Sequence, residues 1–569
     1  MNNYIKLINN FLNKNQLYIN LFIYCFCILS ILFSIYIFSI GFNNPILDRH
    51  SFRQTQTALS AYWMLKNGHY LFYQTPVYGI PWTIPFELPT YQWLVVIIYK
   101  ISHLPLDVCG RLISIIFFYL TFWPIYKLLK ALKLEFNLFL ILVILTCFSP
   151  IYLFWSRTFM IESVSLFLSF CYLVNVQLFL SKRKLLFLIV GVIFGSLAIL
   201  TKVTTFVPIS IFSAWLIIFD WHKNFGFNLR KKIIIKYAIT ILFALVPILI
   251  LLIWAKYSDQ LKMESISGLG EELTSSSLFY WNFGTIGQRI SSKLWYYTVF
   301  SRSIQLTVNK YCFLLYYIPL FFCLLKSKYF KFALISFISF LASFLIFPNL
   351  FIIHDYYLYE NSIYLLLFCS IILFYLLKRK HNILFFIVII LTIFLQVKTY
   401  FNNNGITYAS ASQNLEAAND FSIGKFINNN INPNGKILVY GNDWSSTICY
   451  YSKRKSLTDP LGGNYVDRLK NIHKILGINI DAVVIKDYFD EHNTLITHIV
   501  RKKEFINLIK KITVDFKEVQ IGSSLILYKP NNVVQDRNKL SDKNILLNFS
   551  YENNNFYFKS FKKNALEPF

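Results

Sequence analysis

The sequence predicts a polytopic α-helical membrane protein with a small α/β domain at its C-terminal end. Three observations carry this. Of 569 residues, 56% are hydrophobic and 19% aromatic, and the apolar residues fall in long runs that a soluble fold would not carry. Lysines and arginines gather in the short segments between those runs. After Asn402-Asn403-Asn404-Gly405 the long runs stop, and short strand-like and helix-like stretches replace them.

The runs lie at roughly 17–41, 110–127, 136–155, 158–181, 185–201, 203–219, 233–255, 311–326, 332–349, 358–377 and 383–400. That is about eleven spans, or twelve to thirteen if Tyr91–His103 also crosses, most of them near the ~20 residues a hydrocarbon core requires. The first follows Lys6 and Lys14. It is too long for a signal-peptide core and lacks a small-residue cleavage site, so it is expected to be an uncleaved signal anchor. Lys127/Lys130/Lys133, Lys182/Arg183/Lys184, Arg230/Lys231/Lys232, Lys326/Lys328/Lys331 and Lys378/Arg379/Lys380 then fall on one side with Lys6 and Lys14, which the positive-inside rule makes cytoplasmic. This parity needs Tyr91–His103, short and flanked by Pro89 and Pro105, to be interfacial or re-entrant.

Four regions are then expected outside: 42–109, 256–310, the turn 350–357, and everything after about 401. The expectation is a multi-pass protein of the plasma (inner) membrane with a cytoplasmic N-terminus. Residues 1–400 form its membrane domain and 401–569 an extracytoplasmic domain. In the latter, Lys436–Tyr440, Ala482–Ile485 and Ser524–Tyr528 read as buried strands, and stretches around 413–428, 463–476 and 496–511 as helices. The tail beyond Asn531 is polar and reads as partly disordered.

The net charge of +27 would suit nucleic acid, but the inter-span loops account for many of the cations, so no nucleic-acid partner is expected. Most of the nine cysteines lie inside apolar runs (Cys25, Cys27, Cys147, Cys171, Cys369) and form no CxxC pair. Gly441-Asn442-Asp443 lacks the remaining glycines of a dinucleotide fingerprint. No HExxH, Walker loop or Ser-His-Asp spacing occurs, which argues against a zinc protease, an ATPase or a redox enzyme. No internal repeat is evident, which weakens a transporter reading.

The chemistry-bearing residues collect on the outer side. Asp48-Arg49-His50-Ser51-Phe52-Arg53-Gln54 follows the first run directly and sets an acid, a histidine and two arginines at a membrane surface. Asp48 alone could be a helix cap. Glu87 lies in Pro85-Phe86-Glu87-Leu88-Pro89-Thr90-Tyr91-Gln92-Trp93, where two prolines fix the backbone; the alternative is an exposed loop carboxylate. Glu162 sits about a turn inside the fourth run, where an acid is costly unless paired, and the bland reading is a structural Arg157–Glu162 pair. Lys202 stands at the tip of a tight hairpin and could be a snorkelling lysine. His354-Asp355-Tyr356-Tyr357 fills an outer turn, where Asp355 could cap the next helix and the tyrosines could belong to an aromatic belt.

Together these motifs resemble the GT-C superfamily of integral-membrane glycosyltransferases. More narrowly, they resemble the dolichyl-phosphate-mannose protein mannosyltransferases and bacterial relatives such as the lipid A aminoarabinose transferase. The resemblance covers about 17–400 and rests on Asp48, the Glu87/Pro89/Tyr91/Trp93 motif, Arg157–Glu162, Leu200-Thr201-Lys202 and His354-Asp355-Tyr356-Tyr357. Tyr440-Gly441-Asn442-Asp443-Trp444 with Tyr450-Tyr451 is similar to the C-terminal domains of bacterial members. One departure stands out. The aminoarabinose-transferase type carries a lysine beside the acid of the proline motif, where this chain has Leu88. That puts lipid A as acceptor in doubt and leaves phosphate binding to Arg53, Lys202 and Arg289 or Arg302.

The resemblance implies a polyprenyl-phosphate-sugar donor, a glycan, lipid or protein acceptor, and inversion at the anomeric carbon. Asp48, Glu87 and Glu162 would form the catalytic set, Asp48 being the base. His50, Arg53, Gln54, Arg157, Lys202, Arg302, His354, Asp355 and Tyr356 would bind substrate. No cofactor is indicated. Asp48, Glu162 and His354 could supply ligands to a divalent metal, but no spacing demands one. The rival readings are a lipid or solute transporter and a transferase using a diphosphate-linked glycan.

Overall fold

The computed structural model describes residues 16–225, 231–402, 415–442, 444–461, 464–477, 480–488 and 503–531. Lys6, Lys14, Arg230, Asn403-Asn404-Gly405, Asp443, the 496–502 part of the third expected C-terminal helix and the tail beyond Asn531 lie outside these residues.

Each apolar run forms helix. Among the described residues, seven helices are long and apolar enough to cross a membrane: Leu17–Ser39, Leu106–Ala131, Glu162–Lys182, Val203–His222, Phe243–Met263, Leu358–Lys378 and Asn382–Asn402. Phe136–Phe148, Leu185–Thr201, Lys310–Phe322 and Phe330–Ile346 are shorter apolar helices. Two expected spans are broken at proline, which cannot donate to the helix ladder. The 136–155 run divides at Ser149 before Pro150, and the 332–349 run at Phe347 before Pro348. The helix expected to begin at 158 begins instead at Glu162, after a turn over Ser156–Ile161. The 311–326 run is interrupted by a π-helical stretch, Phe313–Tyr317, and ends at Phe322.

Thr90–Ser102 is a helix of 13 residues, about 20 Å long and too short for a ~30 Å core. It buries Tyr91, Gln92, Val95 and Val96 while Ile97, Tyr99 and Ile101 face outward.

The C-terminal region is a five-stranded sheet ordered β2-β1-β3-β5-β4. β1 (Lys436–Tyr440), β2 (Lys455–Asp459) and β3 (Ile480–Ile485) run parallel, and the hairpin of β4 (Lys517–Ile521) and β5 (Ser524–Tyr528) joins antiparallel to β3. Helices Leu415–Asn430, Thr447–Ser452, Tyr465–Lys470, Ile472–Leu476 and Lys503–Ile512 pack around it, so the single helix expected over 463–476 is two short ones.

β2 is an edge strand, and a bare edge invites wrong pairing. The 75–80 segment covers it. Ser456 N–H donates to the Pro76 carbonyl (3.0 Å), Thr458 N–H to Val77 (2.6 Å), and Gly79 N–H to Ser456 (3.0 Å), with an antiparallel bridge between Tyr78 and Leu457. The described residues up to Pro530 form one compact unit.

Candidate active site

The segment 42–48 has no regular structure, so its backbone groups need side-chain partners. Arg111, one turn into the Leu106–Ala131 helix, supplies most of them. Its guanidinium donates to the carbonyls of Phe42 (3.2 Å), Asn44 and Pro45 (3.1 Å). The same group lies 3.9 Å from Asp48 Oδ2. Gln54 Nε2 donates to Asp48 Oδ1 at 2.5 Å, and Gln54 Oε1 accepts the Phe159 N–H at 3.0 Å. Asp48 is buried, and its Oδ2 has no hydrogen-bond donor. It does not cap the Ser51–Asn67 helix: the residue before that helix is His50, left-handed at φ 56° and without a side-chain cap.

That backbone conformation precedes a contact between His50 and the turn at 354–357. His50 Nε2 donates to Asp355 Oδ1 at 2.8 Å, and Arg49 Nε pairs with Oδ2 at 2.7 Å. Asp355 is fully buried and caps nothing; Tyr357 stands before the Leu358–Lys378 helix. Burial alone would raise the Asp355 carboxyl, but the His50 hydrogen bond and the positive charges of Arg49 and Arg302 hold it below the ordinary carboxylate range. The neighbouring His354 goes the other way: burial, then the charge of His50, push it down to about 3, so its ring is neutral. His354 Nδ1 has no partner, and the ring stacks on Tyr356 with centroids 5.2 Å apart.

Tyr356 links this group to the next. Its ring lies 5.1 Å from that of His50, and Lys202 Nζ sits 4.9 Å above it and 4.3 Å above Tyr357. Lys202 is buried in contact with Glu162 and 3.0 Å from Glu360, which also accepts from Thr204 at 2.8 Å. One oxygen of each glutamate, Oε2, has no partner. The lysine therefore does not snorkel, and the partner of Glu162 is Lys202 rather than Arg157. The turn over 156–161 separates the two residues, and Arg157 donates instead to the Ile40 carbonyl, on the Asp48 side.

Glu87 is half-enclosed and paired. Arg53 Nη2 reaches both of its oxygens at 3.1 Å, Arg53 Nη1 donates to Gln56 at 2.5 Å, and Gln92 Nε2 lies at 3.5 Å. The proline-flanked loop is tied down along its length. Ser258 donates to the Pro85 carbonyl (2.6 Å), Trp254 to Phe86 (3.2 Å), Tyr73 to Glu87 (3.0 Å), and Leu88 N–H to Leu200 in the Lys202 hairpin (2.9 Å). Arg302 reaches the carbonyls of Phe351 and Ile352 beside His354, while Arg289 is held further off by Phe283, Leu345 and Ile346. Arg302 is therefore the better placed of the two. Trp444, after β1, closes over this region, 5.8 Å from Phe52 and 5.7 Å from Phe86.

The expected site residues thus fall in two adjoining groups. One holds Asp48, Gln54 and Arg157. The other holds His50, Arg53, Glu87, Glu162, Lys202, Arg302, His354, Asp355 and Tyr356. Sequence reasoning missed Glu360 and Arg111, and gave Arg49 no role. Arg111 is an ionisable residue inside an apolar helix, which was a sufficient signal, whereas Glu360 lies in the first turn of its helix, where an acid is unremarkable. No cluster of three or more His, Cys, Asp or Glu positioned to hold a metal occurs among the described residues.

The chain is a polytopic membrane protein of the GT-C fold. Among solved structures, it aligns with ArnT from Cupriavidus metallidurans bound to undecaprenyl phosphate at a TM-score of 0.57 and 12% identity, over 88% of this chain and 97% of that one. The apo form of the same protein gives 0.55. The archaeal oligosaccharyltransferase AglB from Archaeoglobus fulgidus, in complex with an inhibitory peptide and a dolichol-phosphate, aligns at 0.52 and 11% identity, over 82% of this chain and 69% of that one. No family model and no curated protein matches the sequence.

Proposed function

We propose that this protein is an inverting glycosyltransferase that moves a sugar from a polyprenyl-phosphate donor to an acceptor hydroxyl at the extracytoplasmic face of the plasma membrane. The observation that carries the proposal is the buried Asp48 carboxylate with one oxygen lacking a donor, adjoining a dense set of cations on a GT-C fold. Two of the structures sharing that fold hold polyprenyl or dolichyl phosphates.

The chemistry suits these residues. The acceptor oxygen attacks the anomeric carbon, the bond from that carbon to the phosphate oxygen breaks, and the hydroxyl proton passes to Asp48. The leaving phosphate is a weak base and needs cations rather than an acid. Arg53, which engages the Glu87 carboxylate through one nitrogen and Gln56 through another, and Lys202 are the groups for it, with Arg302 contributing from the Asp355 side. The neutral His354, with a free ring nitrogen, and Glu87 orient sugar hydroxyls. A lipid donor fits the location, because its chain stays in the bilayer while its phosphate reaches a surface site.

The test is transfer of radiolabelled sugar from a panel of polyprenyl-phosphate donors by purified protein, with host membrane extract as acceptor. Label leaving a monophosphate donor for the extract supports the proposal. Transfer from diphosphate-linked glycans alone would replace it with an oligosaccharyl-type activity. Donor uptake into vesicles without covalent transfer would replace it with transport.

A further inference from the structure

We propose that Tyr451, in the C-terminal α/β domain, is a positioning residue for Asp48. This rests on the reading of Asp48 as base. Tyr451 lies on the Thr447–Ser452 helix, more than four hundred residues from Ile46 in sequence (|i−j| = 405), yet its hydroxyl accepts the Ile46 N–H at 2.6 Å and donates to Asp107 Oδ2 at 3.2 Å. Tyr450, next to it, donates to the other oxygen of Asp107. Asp107 and Arg111 are one turn apart on the same helix, so their side chains share a face. Arg111 takes the carbonyls of residues 42, 44 and 45 and faces the Asp48 carboxylate.

The irregular segment carrying the base is thus held on two sides. Arg111 grips its carbonyls, and Tyr451 takes the amide two residues before Asp48. Thr55–Thr447 (3.2 Å) fastens the same short helix to the start of the Ser51–Asn67 helix, near Gln54 and the Asp48 carboxylate it holds. Ile46, Leu47, Asp48, Tyr450 and Tyr451 are all buried, so water does not replace a lost partner at no cost. The α/β domain therefore completes the catalytic loop: without the Tyr451 hydroxyl, the Ile46 amide has no acceptor and the 42–48 segment is held from one side only.

The experiment compares wild type, Tyr451→Phe and Tyr450→Phe in the full chain by amide hydrogen exchange over 42–48 and by sugar-transfer kinetics. Loss of one buried hydrogen bond corresponds to a change of about five- to tenfold. Tyr451→Phe is expected to speed exchange at Ile46–Asp48 by that factor and to lower kcat about as much, with donor KM unchanged. Tyr450→Phe, which touches Asp107 but not the segment, is expected to do less of both. Asp107→Asn keeps the Tyr451 hydroxyl as acceptor of the Ile46 N–H and weakens only the carboxylate that orients it, so it is expected to shift exchange and kcat in the same direction by less, and serves if Tyr451→Phe fails to fold. Unchanged exchange in Tyr451→Phe overturns the inference, as does faster exchange with wild-type kcat. A wild type that transfers nothing would sink the functional reading instead, leaving the exchange result to decide whether Tyr451 holds the segment.

Discussion

Replacing Lys202 by methionine is the perturbation whose cost can be worked most directly. The change keeps the aliphatic stem and removes the ammonium, which is buried against Glu162 and 3.0 Å from Glu360. At an effective dielectric of about 20, one such attraction at 3.0 Å is worth about 5–6 kcal/mol, and the desolvation of all three groups offsets much of the sum. Without the lysine, two carboxylates remain buried with no cation between them. Removing one partner from a buried ionic group costs about 3–5 kcal/mol. A soluble chain of 569 residues would lose about 2.5–4 °C of Tm for that cost, and helices that persist in detergent lower the unfolding entropy and make the fall larger. The assay is thermal unfolding of the purified protein in detergent, with Lys202→Met/Glu360→Gln alongside. The double variant removes one of the stranded charges and should recover about half of the loss, a non-additivity expected of groups in contact. A Lys202→Met protein melting within about 0.5 °C of wild type would refute the idea that the three charges form one set.

Other outcomes follow from the same geometry. His354 is held down to about 3 against an ordinary 6.5, so between those values the unfolded chain takes up a proton that the folded protein refuses. Stability is therefore full above about pH 6.5 and falls below it, by up to about 1.4 kcal/mol per pH unit, and His354→Phe should flatten that slope in pH-dependent melting. Asp355, also held low, adds to the acid sensitivity at lower pH, because its stabilisation is lost as it protonates. Trp444→Ala opens the aromatic cover formed with Phe52 and Phe86 beside Arg53 and Glu87, and should weaken donor binding about tenfold in a direct binding assay.

Much of the fold could be read from the sequence because a bilayer imposes length and apolarity, and a long apolar run has few other uses. The breaks at Pro150 and Pro348 were legible in principle, since proline inside a run is a physical stop. Two strands were not. Lys455-Ser456-Leu457-Thr458-Asp459 is polar and becomes β2 only because the 75–80 segment and β1 pair with its two edges. Lys517-Glu518-Val519-Gln520-Ile521 is a charged edge strand whose partner supplies the apolar signal. In the site, the residue types and their neighbourhood were visible, but the pairings were not. Sequence proximity suggests Arg157 for Glu162, whereas the turn at 156–161 hands Glu162 to Lys202, forty residues on. Glu360 hid among Leu358, Tyr359 and the apolar residues after it, where an acid in a first helical turn reads as ordinary.

The most direct test of the central claim is single-turnover transfer from a polyprenyl-phosphate-sugar donor by wild type and Asp48→Asn at equal, verified folding. The amide keeps the shape of the carboxylate and can still pair with Gln54 while losing the proton acceptor. The variant is expected to bind donor normally and to transfer about 10²–10⁴-fold more slowly, the range a general base supplies. Transfer within a few-fold of wild type would contradict this and remove Asp48 from the chemistry.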